Sequence, residues 1–264
     1  MANNTPIGVF DSGVGGLSVL HEIRSAMPDE SLIYLADTAH VPYGDKDEAF
    51  VYQRCIAVTD FLLAQGIKAL VVACNTATAA AVSQLRQDYP DLPIIGMEPA
   101  IKPAVTVTRN GVIGVLATTG TLRSHRFASL LKRYAAGVEV KSQACPGLAD
   151  RIEAGELDSA ETRSLLLKYV EPLISSGCDT VVLGCTHYPF LRPLLQELLP
   201  ADIAIVDTGA AVARRVKMVL QECQGFSCNN APSVSVWASG SHEHMARVLP
   251  TLWGSVDQLS HWGG

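Results

Sequence analysis

The chain lacks several features that would place it outside the compact globular proteins. It has no lysine- or arginine-rich run, and its formal net charge of −6 argues against non-specific binding of nucleic acid or anionic membranes. No stretch reaches the roughly 18 consecutive apolar residues that a membrane span needs. Only 17% of the 264 residues are charged and 48% are hydrophobic, so the chain is expected to fold around a substantial core.

Paired cysteine spacings are also missing. The seven cysteines are an odd number at irregular intervals, without a CxxC pair. A disulfide framework is therefore not expected, and a reduced compartment is favoured. The first residues, MANNTPIGVFDSG, contain neither a basic segment nor a signal-like apolar core. We therefore expect a cytoplasmic protein.

Short apolar runs alternate with amphipathic segments along the chain. Strands are predicted at Ile7–Phe10, Leu32–Ala36 and Ala69–Ala73, separated by helices near Leu17–Met27 and Asp47–Gln65. This alternation predicts an α/β fold with mostly parallel sheets and helices on both faces.

The second part of the chain repeats this scheme. IGVFDSG at Ile7–Gly13 is echoed by IGVLATTG at Ile113–Gly120, 106 residues later (113 − 7). Two strands that end in cysteine, at Cys74 and Cys185, are 111 residues apart (185 − 74). A third echo, PIIGMEPA with IAIVDTGA, has an offset of 109 (207 − 98). We predict two pseudo-symmetric α/β lobes with the active site in the cleft between them, namely 1–98 with 210–264, and 99–209.

Each of the two matching strands ends in a thiol. Ligands of open parallel sheets bind at the carboxyl ends of the strands, so Cys74 and Cys185 are expected to face a shared cleft. Two such thiols can invert a carbon centre, one removing a hydrogen from one face and the other returning one on the opposite face. The sulfurs would then lie about 7 Å apart. Helix N–H groups near each cysteine are expected to bring a thiol pKa close to neutral.

Polar residues flank both thiols. Asn75, Thr76 and Thr186 are expected to offer neutral donors to carboxylates at helix N-termini. Asp11 closes the first strand, and His187 lies two residues past Cys185. An acid near one thiol and an imidazole near the other could each relay or tune a proton.

Four motifs occur in the order of a known family. They are FDSGVGGLSVL at Phe10–Leu20, VPYG at Val41–Gly44, ACNTATA at Ala73–Ala79 and LGCTHYPFL at Leu183–Leu191. Over nearly its whole length the chain thus resembles the glutamate racemase family of the aspartate/glutamate racemase superfamily. The two cysteine motifs carry most of the specificity, since DSGVGG alone would be weak.

The resemblance implies interconversion of L- and D-glutamate without cofactor or metal, supplying D-glutamate for bacterial peptidoglycan, and a homodimer. It implies Cys74 as the base for the D-enantiomer and Cys185 as the base for the L-enantiomer, with Asp11, His187 and Glu153 as auxiliary proton-handling residues. Some family members have a longer N-terminus and need a cell-wall precursor as activator; because Ile7 begins the first strand here, that activation is not expected. The implied substrate contacts are Asp11, Ser12, Tyr43, Gly44, Asn75, Thr76, Thr118, Thr119, Thr121, Thr186 and His187.

Plainer interpretations of single residues stay open. Either cysteine alone could be a buried small apolar residue, and Asp11 could simply cap a helix. His187 could be a partly buried histidine, Tyr43 part of a turn and Glu153 a solvated helix residue. The symmetric placement of the two thiols favours the functional interpretation.

Alternative chemistries fit less well. A metal site on Cys185 and His187 lacks further ligands at a suitable spacing, and a Cys–His nucleophile leaves Cys74 unexplained. DSGVGG has the pattern of neither a P-loop nor GxGxxG, so a tight strand-to-helix turn is the better interpretation. The competing functions are racemisation of a related acid, such as aspartate or a hydantoin, and non-catalytic sensing of an amino acid.

Overall fold

The structure, a computed structural model, describes residues 5–223, 225–226 and 231–264. Parallel strands alternate with helices through these residues, which is the predicted α/β fold. The strands are β1 Ile7–Asp11, β2 Leu32–Ala36, β3 Ala69–Val72, β4 Ile94–Ile95, β5 Val112–Ala117, β6 Glu139–Ala144, β7 Thr180–Leu183, β8 Ala204–Val206, β9 Val234–Ala238 and β10 Gln258–His261.

The helices join successive strands of these sheets. They are α1 Leu17–Ala26, α2 Glu48–Ala64, α3 Asn75–Asp88, α4 Ile101–Val107, α5 Thr119–Arg123, α6 His125–Tyr134, α7 Leu148–Glu153, α8 Ala160–Ser175, α9 Arg192–Leu198, α10 Gly209–Glu222 and α11 His242–Leu252. Two short 3₁₀ helices, Tyr43–Asp45 and Tyr188–Leu191, lie in the loops after β2 and β7.

The strands form two sheets with a common order. The first sheet runs β10-β9-β2-β1-β3-β4 and the second runs β6-β5-β7-β8, with every neighbouring pair parallel. Four consecutive strands therefore take the same order in each sheet, β2-β1-β3-β4 and β6-β5-β7-β8. This shared order agrees with the internal repeat predicted from the sequence.

The central strands are buried on both faces, as their continuous apolar runs require. In β1, Ile7 and Val9 belong to one apolar cluster, whereas the next residue, Phe10, packs into another with residues of α2 and α3. In the second sheet, Val115 and Leu116 likewise belong to different clusters. Helices on both faces of each sheet account for this two-sided burial.

One apolar core connects the two sheets. A single cluster contains Leu17 of α1, Val216 of α10, Leu173 of α8 and Val181 of β7. Because apolar contacts are continuous from the first sheet to the second, the cleft between them is set by side-chain packing as well as by the connecting segments.

The predicted lobe boundaries fall close to the ends of regular elements. β4 ends at Ile95 and α4 begins at Ile101, while β8 ends at Val206 and α10 begins at Gly209. Strands β9 and β10 return to the first sheet, where β9 pairs with β2. The division into 1–98 with 210–264, and 99–209, stays a prediction.

The sequence patterns did not predict two of the edge strands. β6 (EVKSQA) and β10 (QLSH) consist of exposed and half-buried residues without an apolar alternation. They form because β5 and β9 offer them an unpaired row of backbone donors and acceptors. β10 follows α11, so the last regular element of the described residues is a strand.

A buried carboxylate holds the loop before β5 at the amino-terminal edge of the second sheet. Asp179 accepts hydrogen bonds from the Thr108 hydroxyl at 2.7 Å and from the backbone N–H groups of Arg109 and Asn110 at 2.6 and 2.8 Å. Desolvation alone would raise the pKa of Asp179, but these hydrogen bonds outweigh it and lower the pKa to about 2.

Asp179→Asn is expected to lower the free energy of unfolding by about 1–3 kcal/mol at pH 7, because it leaves buried donors poorly paired. An unfolded aspartate has a pKa of about 3.9, so this stabilisation is present above about pH 4 and is lost as the pH falls toward 2. Urea unfolding at pH 7 and pH 3 measures it. Asp158→Asn, at an exposed aspartate, is the control and should change stability by no more than about 0.5 kcal/mol. An equal effect of Asp179→Asn at both pH values would contradict the lowered pKa.

Candidate active site

The glycine-rich turn after β1 lets the two lobes approach closely. A Cβ at Gly13 would lie 1.8 Å from Oε1 of Glu153, and a Cβ at Gly15 would lie 2.3 Å from Nδ1 of His187. Oε1 of Glu153 accepts a hydrogen bond of 2.7 Å from the backbone N–H of Val14. The glycines are thus required because a carboxylate and an imidazole from the second lobe occupy the space that side chains would fill.

Cys74 lies where β3 passes into α3. It has an extended backbone and is the N-cap of α3, and its Sγ accepts a hydrogen bond of 3.5 Å from the backbone N–H of Ala77. Its Sγ is 3.9 Å from Oγ of Ser12, and the residue is 5% exposed. The strand-to-helix transition therefore places a buried sulfur at the carboxyl edge of the first sheet.

Cys185 occupies the equivalent place after β7. Its Sγ lies 3.6 Å from Nδ1 of His187, and Nε2 of His187 lies 2.5 Å from Oε1 of Glu153. All three residues are buried, and Glu153 is the last residue of α7. The Glu153 carboxylate contacts the His187 imidazole, which in turn contacts the Cys185 thiol beside the cleft.

The surroundings of His187 favour its protonated form. Burial alone would lower the pKa of His187, but the hydrogen bonds and charges of Cys185 and Glu153 outweigh it and raise that pKa above the ordinary 6.5. A cationic imidazole between a sulfur and a carboxylate stabilises the negatively charged form of either neighbour.

Asp11 lies behind the wall of the cleft. It is fully buried, and its Oδ2 accepts hydrogen bonds from the Gly16 N–H at 2.6 Å and from the Thr186 hydroxyl at 3.0 Å. Its Oδ1 accepts one of 2.7 Å from the Ser12 N–H. Burial raises the pKa of Asp11, and the opposing charge of His187 only partly offsets this. The carboxylate therefore holds Ser12 and Thr186 in place and is more basic than an ordinary aspartate.

The expectation of a lowered pKa is wrong for Cys74. Burial raises the pKa of its thiol well above 9, and the neighbouring Asp11 carboxylate raises it further. The single N–H donor from Ala77 is too distant, at 3.5 Å, to offset both effects. Cys74 is accordingly a protonated thiol in this structure.

Both thiols line one small cavity between the lobes. The cavity has a free volume of about 10 Å³, the space of roughly one water molecule. The lining residues therefore leave little open space between the two thiols in this structure. The residues that line it are Ser12, Pro42, Tyr43, Gly44, Cys74, Asn75, Thr76, Thr118, Ala149, Cys185, Thr186 and His187.

Four residues predicted for the site lie outside this lining. Asp11 and Glu153 stand behind it, in contact with Thr186 and His187 respectively. Thr121 is linked to it by a hydrogen bond of 3.0 Å with the Thr118 hydroxyl. Thr119 lines a separate outer groove of about 390 Å³.

The amide of Asn75 is unpaired within the described part of the chain. Its Oδ1 and Nδ2 are both buried without a hydrogen-bond partner there, and the residue lines the cavity. Buried polar groups are nearly always paired in folded proteins, so an unpaired amide at a cavity indicates a place for a polar ligand.

Threonine hydroxyls join the lobes at the edge of the cavity. Oγ1 of Thr76, at the start of α3, is 2.9 Å from Oγ1 of Thr118, the N-cap of α5. Gly44 packs against the same threonine, because a Cβ on Gly44 would lie 2.8 Å from Cβ of Thr118. These contacts separate the cavity from the outer groove, which Gly44 and Thr76 also line.

Tyr43 contributes to the lining, but its hydroxyl is bonded elsewhere. The hydroxyl donates a hydrogen bond of 2.6 Å to Oδ2 of Asp37, and both residues are buried. Pro42, Tyr43 and Gly44 are the residues of the VPYG segment that line the cavity.

The sequence patterns missed three residues that support the site. Asp37 directly follows β2, just as Asp11 ends β1. An aspartate at the end of a second strand could therefore have been predicted from the sequence as a residue near the site. Arg54 of α2 pairs with Asp37. His244 of α11 lies with Nε2 2.7 Å from the carbonyl oxygen of Glu153, a contact that no local pattern could indicate because 91 residues separate the two.

Neither a metal centre nor a membrane span is found in the described residues. No three His, Cys, Asp or Glu side chains among them converge as metal ligands would. None of the helices described above is long and apolar enough to cross a membrane.

Comparison with known proteins gives consistent matches. Residues 7–216 match the family model of the Asp/Glu/Hydantoin racemases. The chain is 57% identical over 258 residues to the glutamate racemase of Pseudomonas paraeruginosa, covering 98% of this chain and 97% of the relative. It also resembles a glutamate racemase isoform from Bacillus anthracis, with a TM-score of 0.90 and 33% identity, covering 98% of each chain. Escherichia coli glutamate racemase, solved with L-glutamate and its activator UDP-MurNAc-Ala, gives a TM-score of 0.87 and 34% identity, covering 97% of this chain and 98% of that one.

Glu153→Gln is expected to lower the pKa of His187, because it replaces a charged partner at 2.5 Å with a neutral one. The ring ¹⁵N shifts of His187, followed by NMR from pH 5 to pH 9, measure the change. Glu156→Gln, which removes a carboxylate that pairs with Arg151 near the same helix end, is the matched control and should leave the His187 titration in place. If Glu153→Gln left the titration unmoved, the ion pair would not be what raises that pKa.

Proposed function

The chain belongs to the Asp/Glu/Hydantoin racemase family, and we propose that it is a cofactor-independent glutamate racemase with Cys74 and Cys185 as its two bases. The observation that carries this proposal is the pair of thiols at equivalent strand ends of two lobes, lining one cavity. A structural cysteine in a core has no reason to recur at both places. A sensor that only binds glutamate gives no reason for the second thiol either.

In the proposed reaction, Cys185 as thiolate removes the α-proton of L-glutamate and becomes a thiol. The Cys74 thiol donates its proton to the opposite face of the carbanion and becomes a thiolate, which gives D-glutamate. In the reverse direction the two sulfurs exchange roles. One proton leaves the carbon and one returns, so no cofactor is consumed.

The electrostatics of the free enzyme suit the L-to-D direction. Protonated His187 beside Sγ of Cys185 stabilises a thiolate there, and Glu153 holds the imidazole in place. Cys74, whose pKa is raised by burial and by Asp11, is the proton donor. The two thiols thus have different surroundings, an imidazole beside Cys185 and a carboxylate near Cys74, as suits a reaction in which one sulfur is base and the other acid.

The D-to-L direction needs Cys74 to lose its proton. Asp11 is the candidate acceptor, because burial raises its pKa above that of an ordinary carboxyl group. The α-ammonium group of bound glutamate would add positive charge to the same cavity and favour the Cys74 thiolate. Asp11 would exchange a proton with Cys74, and the Glu153–His187 pair would do the same for Cys185, so that each sulfur regains the protonation state that the next reaction needs.

Neutral donors are proposed to bind the substrate carboxylates. The unpaired amide of Asn75 and the hydroxyls of Ser12 and Thr76 line the cavity. Thr186 lines it as well, but its hydroxyl already donates to Asp11. Hydrogen bonds from preorganised groups to the α-carboxylate would stabilise charge that develops on the carbanion, and a cavity closed to bulk water strengthens them. Thr118 and the Tyr43–Gly44 segment complete the wall.

The product fits a role in cell-wall synthesis. We propose that the enzyme supplies D-glutamate for peptidoglycan in the cytoplasm and acts as a homodimer. The support for this is the extent of its similarity to bacterial glutamate racemases.

Proton NMR of glutamate in deuterated water tests the activity, with purified, reduced and metal-free protein. Both enantiomers are expected to lose the α-proton signal, and the optical rotation should fall to zero. Cys74→Ala and Cys185→Ala should each lower racemisation by about a hundredfold or more, because each removes one of the two bases. Cys55→Ala, at another buried thiol but on α2 away from the cavity, is the matched control and should retain the wild-type rate.

Each other outcome of this experiment has a distinct meaning. Exchange with L-aspartate but not with glutamate would keep the mechanism and change the substrate. Binding of glutamate without any exchange would refute the racemase proposal in favour of a sensor. Retention of full activity by either cysteine variant would refute the two-base mechanism.

A further inference from the structure

A fully buried carboxylate lies directly behind the VPYG segment. Asp37, just after β2, is 0% exposed and accepts hydrogen bonds from the Tyr43 hydroxyl at 2.6 Å and from the Ser239 hydroxyl at 2.7 Å. Nδ1 of His40 lies 3.0 Å from its Oδ1. Both oxygens of Asp37 therefore accept hydrogen bonds. Tyr43 and His40 belong to the loop between β2 and α2, and Ser239 directly follows β9, the strand that pairs with β2.

Arg54 supplies the charge that makes this burial tolerable. Its Nε donates to Oδ2 of Asp37 at 2.9 Å and its Nη2 donates to Oδ1 at 3.0 Å, a two-pronged contact. The guanidinium also lies over the ring of Trp262, with its Cζ 5.2 Å from the ring centroid. Burial alone would raise the pKa of Asp37, but the hydrogen bonds led by Arg54 outweigh it and lower that pKa, so Asp37 stays ionised.

The loop that these residues hold is a wall of the cavity. Residues 38–42 contain no helix or strand, and the segment Tyr43–Asp45 is a single turn of 3₁₀ helix. Tyr43 and Gly44 line the cavity with Cys74 and Cys185, and Gly44 packs on Thr118 of the opposite lobe. The side chain of Tyr43 is therefore anchored on one side of the loop while the backbone next to it forms the cavity wall on the other.

We propose that Arg54 and Asp37 are positioning residues for the substrate: through Tyr43 they fix the Tyr43–Gly44 backbone as a wall of the cavity that receives glutamate. This inference rests on the proposed function, since it assigns a task within the same site. Neither residue lines the cavity itself. They act on substrate only by holding the wall that touches it.

Arginine and aspartate are both required by this arrangement. A lysine at position 54 would keep the charge, but it could not bond both oxygens of Asp37 in one plane, nor stack as well on Trp262. An asparagine at position 37 would present one acceptor where two now serve Arg54, Tyr43 and Ser239. The loop would remain attached but its wall would shift, which a site built for an amino acid tolerates poorly.

Steady-state kinetics of Asp37→Asn, Arg54→Leu and Arg54→Lys test the proposal with both glutamate enantiomers. A displaced wall weakens ground-state and transition-state binding alike, so KM is expected to rise about tenfold while kcat stays within about threefold of wild type. Arg54→Lys is expected to lie between wild type and Arg54→Leu. Tyr43→Phe, which removes only the hydroxyl bonded to Asp37, should raise KM in the same direction.

Asp179→Asn is the matched control. Asp179 is also a buried carboxylate that holds a loop beside a parallel sheet, but at the amino-terminal edge of the second sheet and away from the cavity. A purely structural role for Asp37 predicts what we expect of Asp179→Asn, namely a lower Tm with an unchanged KM. Thermal unfolding of every variant separates lost stability from displaced geometry.

The outcomes distinguish this inference from the proposed function. If wild-type protein exchanges no α-proton with glutamate, the proposed function fails. If wild type is active and folded Asp37→Asn and Arg54→Leu keep the wild-type KM, or if Asp179→Asn raises KM equally, the positioning role is overturned. Should Asp37→Asn not fold, an unchanged KM in both Arg54→Lys and Tyr43→Phe would overturn it equally.

Discussion

The site depends on the close approach of the glycine-rich turn after β1 to the Glu153–His187 pair of the opposite lobe. Side chains at Gly13 or Gly15 would overlap the carboxylate or the imidazole. The absence of side chains in the turn lets its backbone N–H at Val14 bond Glu153 directly. One short segment thus links the lobes, orients the acid that holds His187, and leaves Asp11 and Ser12 facing the other thiol.

Burial and pairing together shift the pKa values of Asp11, Cys74 and His187 near the two sulfurs. Taking charges out of water is costly unless each has a partner, and here Glu153 has His187 while Asp37 has Arg54. Asp11 has only neutral donors for direct partners, so its pKa rises, and Cys74 beside it stays protonated. A fold that repeats its strand order therefore gives its two matching cysteines unlike surroundings. That asymmetry allows one sulfur to act as base while the other acts as acid.

The cavity also shows how supporting residues extend the site beyond its lining. His244 on α11 bonds the carbonyl of Glu153 from the first lobe, and Arg54 on α2 holds the VPYG loop through Asp37. Both lie on helices of the first lobe; His244 is 91 residues from Glu153, and Arg54 is 17 residues from Asp37. The unpaired amide of Asn75 lies in a closely packed cavity and indicates a place there for a polar ligand.

Much of this could be predicted from the chain itself, because local patterns carry it. Alternating apolar runs predicted the parallel α/β fold, and the offset of about 110 residues between echoes predicted two related lobes. The strand order that their sheets share was seen only in the structure. Cysteine at two matching strand ends determined the pair of candidate bases. The edge strands β6 and β10 could not be predicted, since their neighbours' backbones form them and their own residues are polar. Only the tertiary structure decided that Tyr43 bonds Asp37, that Thr119 lies in an outer groove, and that the Cys74 thiol is protonated. Charge, burial and pairing depend on which distant residues meet, and that is settled only when the lobes pack together.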